Sequence, residues 1–167
     1  MLALLLVTGC AVTSSSNNNL SSEDFMFAQM MIPHHQQAID MSNIALQNSQ
    51  NAEVRDLATK IRGEQAPEIK IMESWTKSHM GSHMGSHSGH MMDGMLSNSE
   101  IRALKEARGV DFDRLFLQGM IQHHEGAIDM AQDVIDSKNH DVAALAQSII
   151  STQRAEIEFM KELLKRL

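Results

Sequence analysis

The sequence is poor in the residues that most often build reactive sites and rigid cores. Among 167 residues it has one cysteine, two prolines, one tryptophan and no tyrosine, and 4% of its residues are aromatic. One cysteine excludes a disulfide within the chain and a metal site made of several thiolates. A net charge of -7 without a cluster of basic residues argues against nucleic acid as a partner. Methionine is abundant instead, with 14 residues, and its thioether both fills cores and binds soft metals.

A segment with two adjacent histidines occurs twice in the chain. Residues 24–42 read DFMFAQMMIPHHQQAIDMS, and residues 113–131 read DRLFLQGMIQHHEGAIDMA. A second pair of related segments, 54–72 and 142–160, shares identities that recur every three or four residues, which is one face of a helix. Each repeat is therefore predicted to be a helical hairpin. Two such hairpins should close into a four-helix bundle of the all-α class, because neither can bury its apolar stripe alone.

Turn and capping signals divide the chain further. Ser97 with Glu100 has the spacing of a capping box, so a short helix is expected between the repeats, ending at Gly109. The long helices are predicted at about 23–47, 52–76, 111–136 and 141 to the end. The resulting organisation is a truncated signal and polar tether (1–22), a hairpin (23–76), a flexible linker (77–96), a short helix (97–108) and a second hairpin (111–167).

The N-terminus indicates export. The apolar run MLALLLVTG precedes Cys10 as in a bacterial lipobox, where the cysteine is lipidated and becomes the mature N-terminus. No Lys or Arg precedes the run, so we interpret Met1 as a late start site; the alternative is a buried apolar turn. We expect an extracytoplasmic protein, periplasmic or at the cell surface, that touches the membrane only through its lipid. Methionine and histidine suit a soft-metal protein there, because thiols outside the cytoplasm tend to oxidise.

The repeated histidines point to a soft metal. At about 100° per residue, His34 lies in the middle of the apolar stripe and His35 on its shoulder, with methionines one or two turns away. A lone histidine on such a stripe is usually a core residue with one hydrogen bond, and the methionines alone fit core packing. Four histidines at matched positions favour metal binding. The predicted ligands are His34, His35, His123 and His124, with Met31, Met41, Met120 and Met130 around them.

Polar residues on the facing helices are predicted to orient these histidines. In an antiparallel hairpin, Gln65 lies level with His34, and Glu68 lies one turn away on the same stripe. A histidine that binds metal through one ring nitrogen needs an acceptor at the other, and buried amides and carboxylates need partners. We therefore predict that the supporting residues are Gln65, Glu68, Gln153 and Glu156.

The linker has its own metal-binding composition. It reads KSHMGSHMGSHSGHMMDGML, with no apolar period. A spacer of biased composition is one interpretation, and a metal-scavenging arm is the one we favour, because polar linkers rarely concentrate imidazole and thioether. The candidate secondary ligands are His79, Met80, His83, Met84, His87, His90, Met91, Met92 and Met95.

The segments MIPHHQQAIDM and MIQHHEGAIDM, the tract between them and the lead-in SNSEIRALKEARGVDFDRLFLQGM resemble the domain of unknown function 305 family, which includes CopM-type copper-binding proteins. The resemblance covers about 23–165. It implies a ferritin-like four-helix bundle exported from the cytoplasm and, in members with a known role, copper binding and resistance. It also implies that the two histidine pairs are the defining residues.

Together these features predict a copper-binding lipoprotein that buffers, sequesters or hands over the metal without turnover. Imidazole with thioether favours Cu(I), imidazole alone accepts Cu(II), and Ag(I) or Zn(II) remain alternatives. A partner protein for metal exchange and a homodimer are both left open. A di-metal oxidase is disfavoured because no Glu-x-x-His motif occurs in the chain. A metal-free interaction module with a pH-sensitive histidine latch is the second alternative.

Overall fold

The protein is all-helical throughout the part that the computed structural model describes, which is residues 20–79 and 92–167. The prediction of an all-α bundle is therefore confirmed. The five helices of these stretches are α1 (Ser22–Asn48), α2 (Ala52–His79), α3 (Asn98–Glu106), α4 (Gly109–Gln132) and α5 (His140–Leu164).

Two helical hairpins, α1 with α2 and α4 with α5, pack together mainly through α1 and α4. The short helix α3 contacts both α1 and α4, whereas α2 and α5 make few direct contacts with each other. The core between the hairpins uses methionine where many bundles use aromatic residues. Its largest fully buried side chains include Phe112, Phe116, Met31, Met41, Met72, Met120 and Met160.

Capping residues fix where the helices begin. Ser21 and Asp24 form a capping box at the start of α1, and Ser97 and Glu100 form the predicted one at the start of α3. Asn139 caps α5 by accepting hydrogen bonds from two backbone amides. These side chains satisfy amide groups that the first helical turn leaves without partners.

The helix ends differ from the predicted ones at three places. Helix α2 continues to His79 instead of ending at 76. Helix α3 ends at Glu106, because Gly109 with φ of +59° opens α4 instead of closing α3. Helix α4 ends at Gln132 and not at 136. The amides of Val134 and Ile135 bond to carbonyls three residues back, so the chain tightens into turns before α5.

The last residues of the predicted linker belong to the folded body. The backbone of Leu96 exchanges two hydrogen bonds with the side chain of Gln37, at 2.8 and 3.0 Å, and Leu96 is itself buried. Asp93 and Gly94 lie against Gly126 of α4, where any side chain would collide with their backbone. We call residues 92–97 the clasp. The linker prediction of 77–96 was therefore too long at this end, because the missing Cβ of Gly126 lets the clasp approach α4.

Gly126→Ala is expected to lower the free energy of unfolding by about 1–3 kcal/mol, because the new methyl group must push the clasp away from α4. The matched control is Gly63→Ala on α2, where an added Cβ meets nothing within 4 Å. That change should stabilise α2 by up to about 1 kcal/mol through helix propensity. Urea unfolding followed by circular dichroism measures both. Equal effects of the two substitutions would contradict close packing of the clasp.

Candidate metal centre

Four fully buried histidines lie at the middle of the bundle. Helix α1 supplies His34 and His35, helix α4 supplies His123 and His124, and each is 0% exposed. His34 and His123 meet across the α1–α4 contact, with ring centroids 3.8 Å apart. Neighbouring side chains on a helix diverge by about 100°. His35 therefore turns towards α2, and His124 turns towards α5.

Each histidine has its Nε2 atom next to an oxygen. His35 Nε2 lies 2.7 Å from Glu68 Oε2, and His124 Nε2 lies 2.8 Å from Glu156 Oε2. The central pair uses backbone carbonyls instead: His34 Nε2 lies 3.3 Å from the Asp93 oxygen, and His123 Nε2 lies 2.9 Å from the His34 oxygen. Since all four partners are acceptors, Nε2 donates in each ring. A neutral ring of this kind carries its lone pair on Nδ1.

All four Nδ1 atoms are buried, and none has a hydrogen-bond partner within the described residues. Buried polar atoms are nearly always paired, so four such lone pairs on the packed helices α1 and α4 require an explanation. A metal-binding histidine characteristically donates its other N–H to a carbonyl or carboxylate, which is the arrangement observed at these four rings. The donor chemistry therefore fits a metal ion that accepts imidazole nitrogen.

Three of these histidines, His34, His123 and His124, are held in the neutral form. Burial lowers the pKa of His34 to about 3, and the nearby His35 adds to the effect. Burial and the neighbouring His34 lower the pKa of His123 well below its ordinary value. Burial also lowers the pKa of His124, in spite of its hydrogen bond to Glu156. Their lone pairs are thus free of protons at neutral pH, which is the state that a metal requires.

Glu156 is the most strongly tied carboxylate of the site. Burial opposes its ionisation, but hydrogen bonds from His124 and Lys60 outweigh burial and lower its pKa to about 2. Lys60 Nζ lies 2.9 Å from Glu156 Oε1 and 3.3 Å from Glu64 Oε2. Sequence reasoning did not single out Lys60 or Glu64, because their proximity to Glu156 depends on how the two hairpins dock.

The predicted methionines lie in the same core. Met31, Met41 and Met120 are fully buried, and Met130 is partly buried at the edge. Across residues 20–79 and 92–167, no three His, Cys, Asp or Glu groups converge closely enough to hold a metal ion. The arrangement thus offers imidazole nitrogens in pairs rather than a finished cage of nitrogen and oxygen ligands. A complete site would need thioether sulfur as well.

The four predicted supporting residues divide into two kinds. Glu68 and Glu156 contact the outer histidines, His35 and His124. Gln65 and Gln153 are buried, yet both amide atoms of Gln65 and Oε1 of Gln153 lack hydrogen-bond partners within the described residues. The central histidines use backbone carbonyls, and the side-chain pattern of a sequence gives no signal for those.

The remaining predicted sites are only partly placed. Met92 and Met95 are half-buried in the clasp, and His79 is the last residue of α2. None of the described helices is both long and apolar enough to cross a membrane. The predicted sites that lie outside the described residues are Cys10, Met80, His83, Met84, His87, His90 and Met91.

Known proteins share this fold and much of this sequence. The family model of the domain of unknown function 305 matches residues 24–164. A crystal structure of a family member from Streptomyces coelicolor, provisionally described as secreted, is 31% identical, covers 87% of this chain and 93% of its own, and has a TM-score of 0.81. A fragment from Deinococcus radiodurans is 34% identical, with coverages of 88% and 98% and a TM-score of 0.77.

A third related structure contains a metal ion. CopM in its Cu(I)-bound form is 35% identical, covers 86% of this chain and 96% of its own, and has a TM-score of 0.73. Structures of CopM with Cu(II) and with silver are similar to this chain as well. No curated protein sequence matches. The family model spans most of the chain, and the related structures exceed 30% identity over more than four fifths of it, so the chain belongs to the domain of unknown function 305 family.

Proposed function

We propose that this protein binds copper outside the cytoplasm and buffers it, sequesters it or hands it over, without catalytic turnover. The observation that carries the proposal is the set of four buried Nδ1 atoms that have no partner in the described part of the chain, each on a ring whose Nε2 is already held by an oxygen. The similarity to CopM, which has been solved with Cu(I), Cu(II) and silver, supports copper as the ion.

Cu(I) is the oxidation state that we favour. Imidazole and thioether are both ligands of soft ions, and buried methionines surround the histidines. Cu(I) and Ag(I) accept few ligands, whereas a structural Zn(II) site usually requires four. The donors lie in the interior and not on a surface open to a dissolved substrate. A buried position suits retention of an ion. Because an ion held there is shielded from solvent, a partner protein for metal exchange is part of the proposal.

An anaerobic Cu(I) titration against a competing chelator tests the proposal. The wild-type protein should take up one tight equivalent of Cu(I) or more in the bundle. It should take up further, weaker equivalents in linker residues 79–95, which we call the His/Met tract. A variant with residues 80–91 replaced by a Gly/Ser linker of equal length should keep the tight site and lose the weaker ions. The clasp remains intact in this variant, because Asp93 and Leu96 are unchanged. Loss of the tight site from a folded variant would assign that site to the tract instead.

We further propose that the protein is exported and anchored by lipid on Cys10. Stable anchoring needs more than one acyl chain, as a processed lipoprotein has. Expressed in a bacterium with an extended signal sequence, the protein should sediment with membranes. The Cys10→Ser variant should be released or remain unprocessed. Recovery of the wild-type protein in the cytoplasm with an unmodified thiol would refute the anchor.

A further inference from the structure

The seam between α2 and α5 is open towards solvent. A groove of about 370 Å³ lies there, with Leu57, Ala155 and Phe159 as its apolar lining and Glu53, Asp56, Lys60 and Glu156 as its charged lining. Next to it along the same seam is a cavity of about 10 Å³, roughly the space of one water molecule or one bare ion. Glu156 lines both, so the two spaces adjoin at this residue.

The small cavity lies between equivalent positions of the two repeats. Gln65 and Glu68 line it from α2, and their repeat counterparts Gln153 and Glu156 line it from α5. Glu68 and Glu156 also hold His35 and His124. A single carboxylate therefore separates the cavity from each outer imidazole.

Two buried amides at this cavity have unused oxygens. Gln65 is 3% exposed and Gln153 is 2% exposed, and Oε1 of each lacks a hydrogen-bond partner within the described residues. A buried amide group without a partner is unfavourable. An amide oxygen can be satisfied by a water molecule or a cation, and the cavity has room for one of these at a time.

The charges at the seam do not balance. Glu64, Glu68 and Glu156 line the cavity, and Lys60 is the ammonium group paired with two of them. Burial and the adjacent Glu156 carboxylate raise the pKa of Glu64, as expected where two carboxylates crowd together. The side chain of Lys60 is 51% exposed, whereas that of Glu156 is 4% exposed. The ammonium group therefore lies on the outer side of the cluster, where an incoming cation would first meet the carboxylates.

We propose that the α2–α5 seam is the route by which a soft monovalent cation reaches the buried histidines, and that Lys60 closes this route as a displaceable plug. This inference rests on the proposed function. The Lys60 ammonium occupies a position between Glu64 and Glu156 that a cation would otherwise take. Carboxylate and amide oxygens hold a soft ion only weakly. An ion can thus be drawn in without being trapped on the way to Nδ1 of the histidines, the ring nitrogen that Glu68 and Glu156 do not hold.

The competing route is the opposite face of the bundle. There the clasp covers His34, with the Asp93 carbonyl against its Nε2 and with Leu96 packed close to Gly119. An ion could reach the central histidines from this side only by lifting the clasp. The two routes predict opposite effects for substitutions at Lys60 and at Leu96.

The test is the rate at which Cu(I) passes from a coloured chelator to the folded protein, followed anaerobically by stopped-flow absorbance. Lys60→Leu should raise the loading rate about fivefold, because the ion pairs that close the route are gone and leucine adds no metal ligand. Release should accelerate equally, so the equilibrium affinity should stay the same. Glu64→Gln should slow loading.

Lys161→Leu is the matched control. It removes one positive charge of similar exposure, 47%, which pairs with Glu158 on α5 and does not line the seam. Its loading rate should stay near that of the wild type. An equal acceleration in both lysine variants would show that the loading rate depends only on net charge, and it would overturn the proposed route. An acceleration in Leu96→Ala with none in Lys60→Leu would assign loading to the clasp and also overturn the proposed route.

Equilibrium titration of the same samples separates the two proposals. If every variant keeps one tight Cu(I) site while the rate is insensitive to Lys60, only the route is wrong. If the wild-type protein has no tight Cu(I) site, the proposed function fails, and the route fails with it.

Discussion

A variant with His34→Ala and His123→Ala is expected to lose the tightest copper site, with Kd rising by at least about 100-fold, or about 2.7 kcal/mol. The two ring centroids lie 3.8 Å apart, and the buried Nδ1 atom of each ring has no hydrogen-bond partner among residues 20–79 and 92–167. Their removal takes away the two donors at the centre of the site and leaves His35 and His124 on opposite sides of it. Competition with a Cu(I) chelator measures the change.

His140→Ala is the control for this double variant. His140 is the exposed first residue of α5 and lies outside the bundle core, so its loss should leave the tight site unchanged. Circular dichroism should report helical protein in both variants. The single substitutions leave smaller cavities and give the same information if the double variant is too unstable to measure. Unchanged copper affinity and stoichiometry in a folded double variant would refute the proposed site.

Acidification from about pH 7 to about pH 4.5 is expected to destabilise the metal-free protein by several kcal/mol. The pKa of His34 is about 3 in the folded protein, against an ordinary value of 6.5. Between these values the unfolded chain binds a proton that the folded chain does not. Each pH unit in this window therefore lowers the free energy of unfolding by up to about 1.4 kcal/mol for this residue alone. The pKa values of His123 and His124 are lowered in the same direction, so they add to the loss.

Urea unfolding at several pH values measures this dependence. The stability lost on acidification should be present in full only above about pH 6.5 and should fall progressively below it. The variant without His34 and His123 is the internal comparison, since its stability should depend less on pH. A wild-type stability that stays constant from about pH 7 to about pH 4.5 would show that these histidines are not buried in the neutral form.

Most of the fold could be predicted from the internal repeat and from the helical period of the apolar residues. The identities between the two halves predicted the hairpins, and the position of His34 and His123 on the apolar stripe predicted burial that the structure shows as complete. The capping box at Ser97 was readable because it is a local pattern. These features share one property: each depends on residues within a few turns of one another.

The features that the sequence did not reveal depend on contacts between distant segments. Gly126 is visible in the sequence, but Asp93 and Gly94, whose close approach needs its missing side chain, lie more than 30 residues earlier in the chain. Lys60 and Glu156 meet only because the second hairpin docks on the first. The Asp93 carbonyl is a backbone group, so no residue type marks it as a partner for His34. Docking of the hairpins decides these contacts, and local pattern alone does not specify it.

The methionine core makes oxidation a measure of how tightly the bundle stays closed. Methionine sulfoxide is polar and cannot be accommodated where a thioether was buried. Met31, Met41, Met72, Met120 and Met160 are 0% exposed and are shielded from peroxide while the bundle is intact, whereas Met26 and Met30 on α1 are 50% and 37% exposed. Among the methionines that the structure describes, a peroxide pulse should therefore mark these two surface residues first. Oxidation of a core methionine shows that the bundle has opened at that position. The polar sulfoxide then prevents the core from repacking.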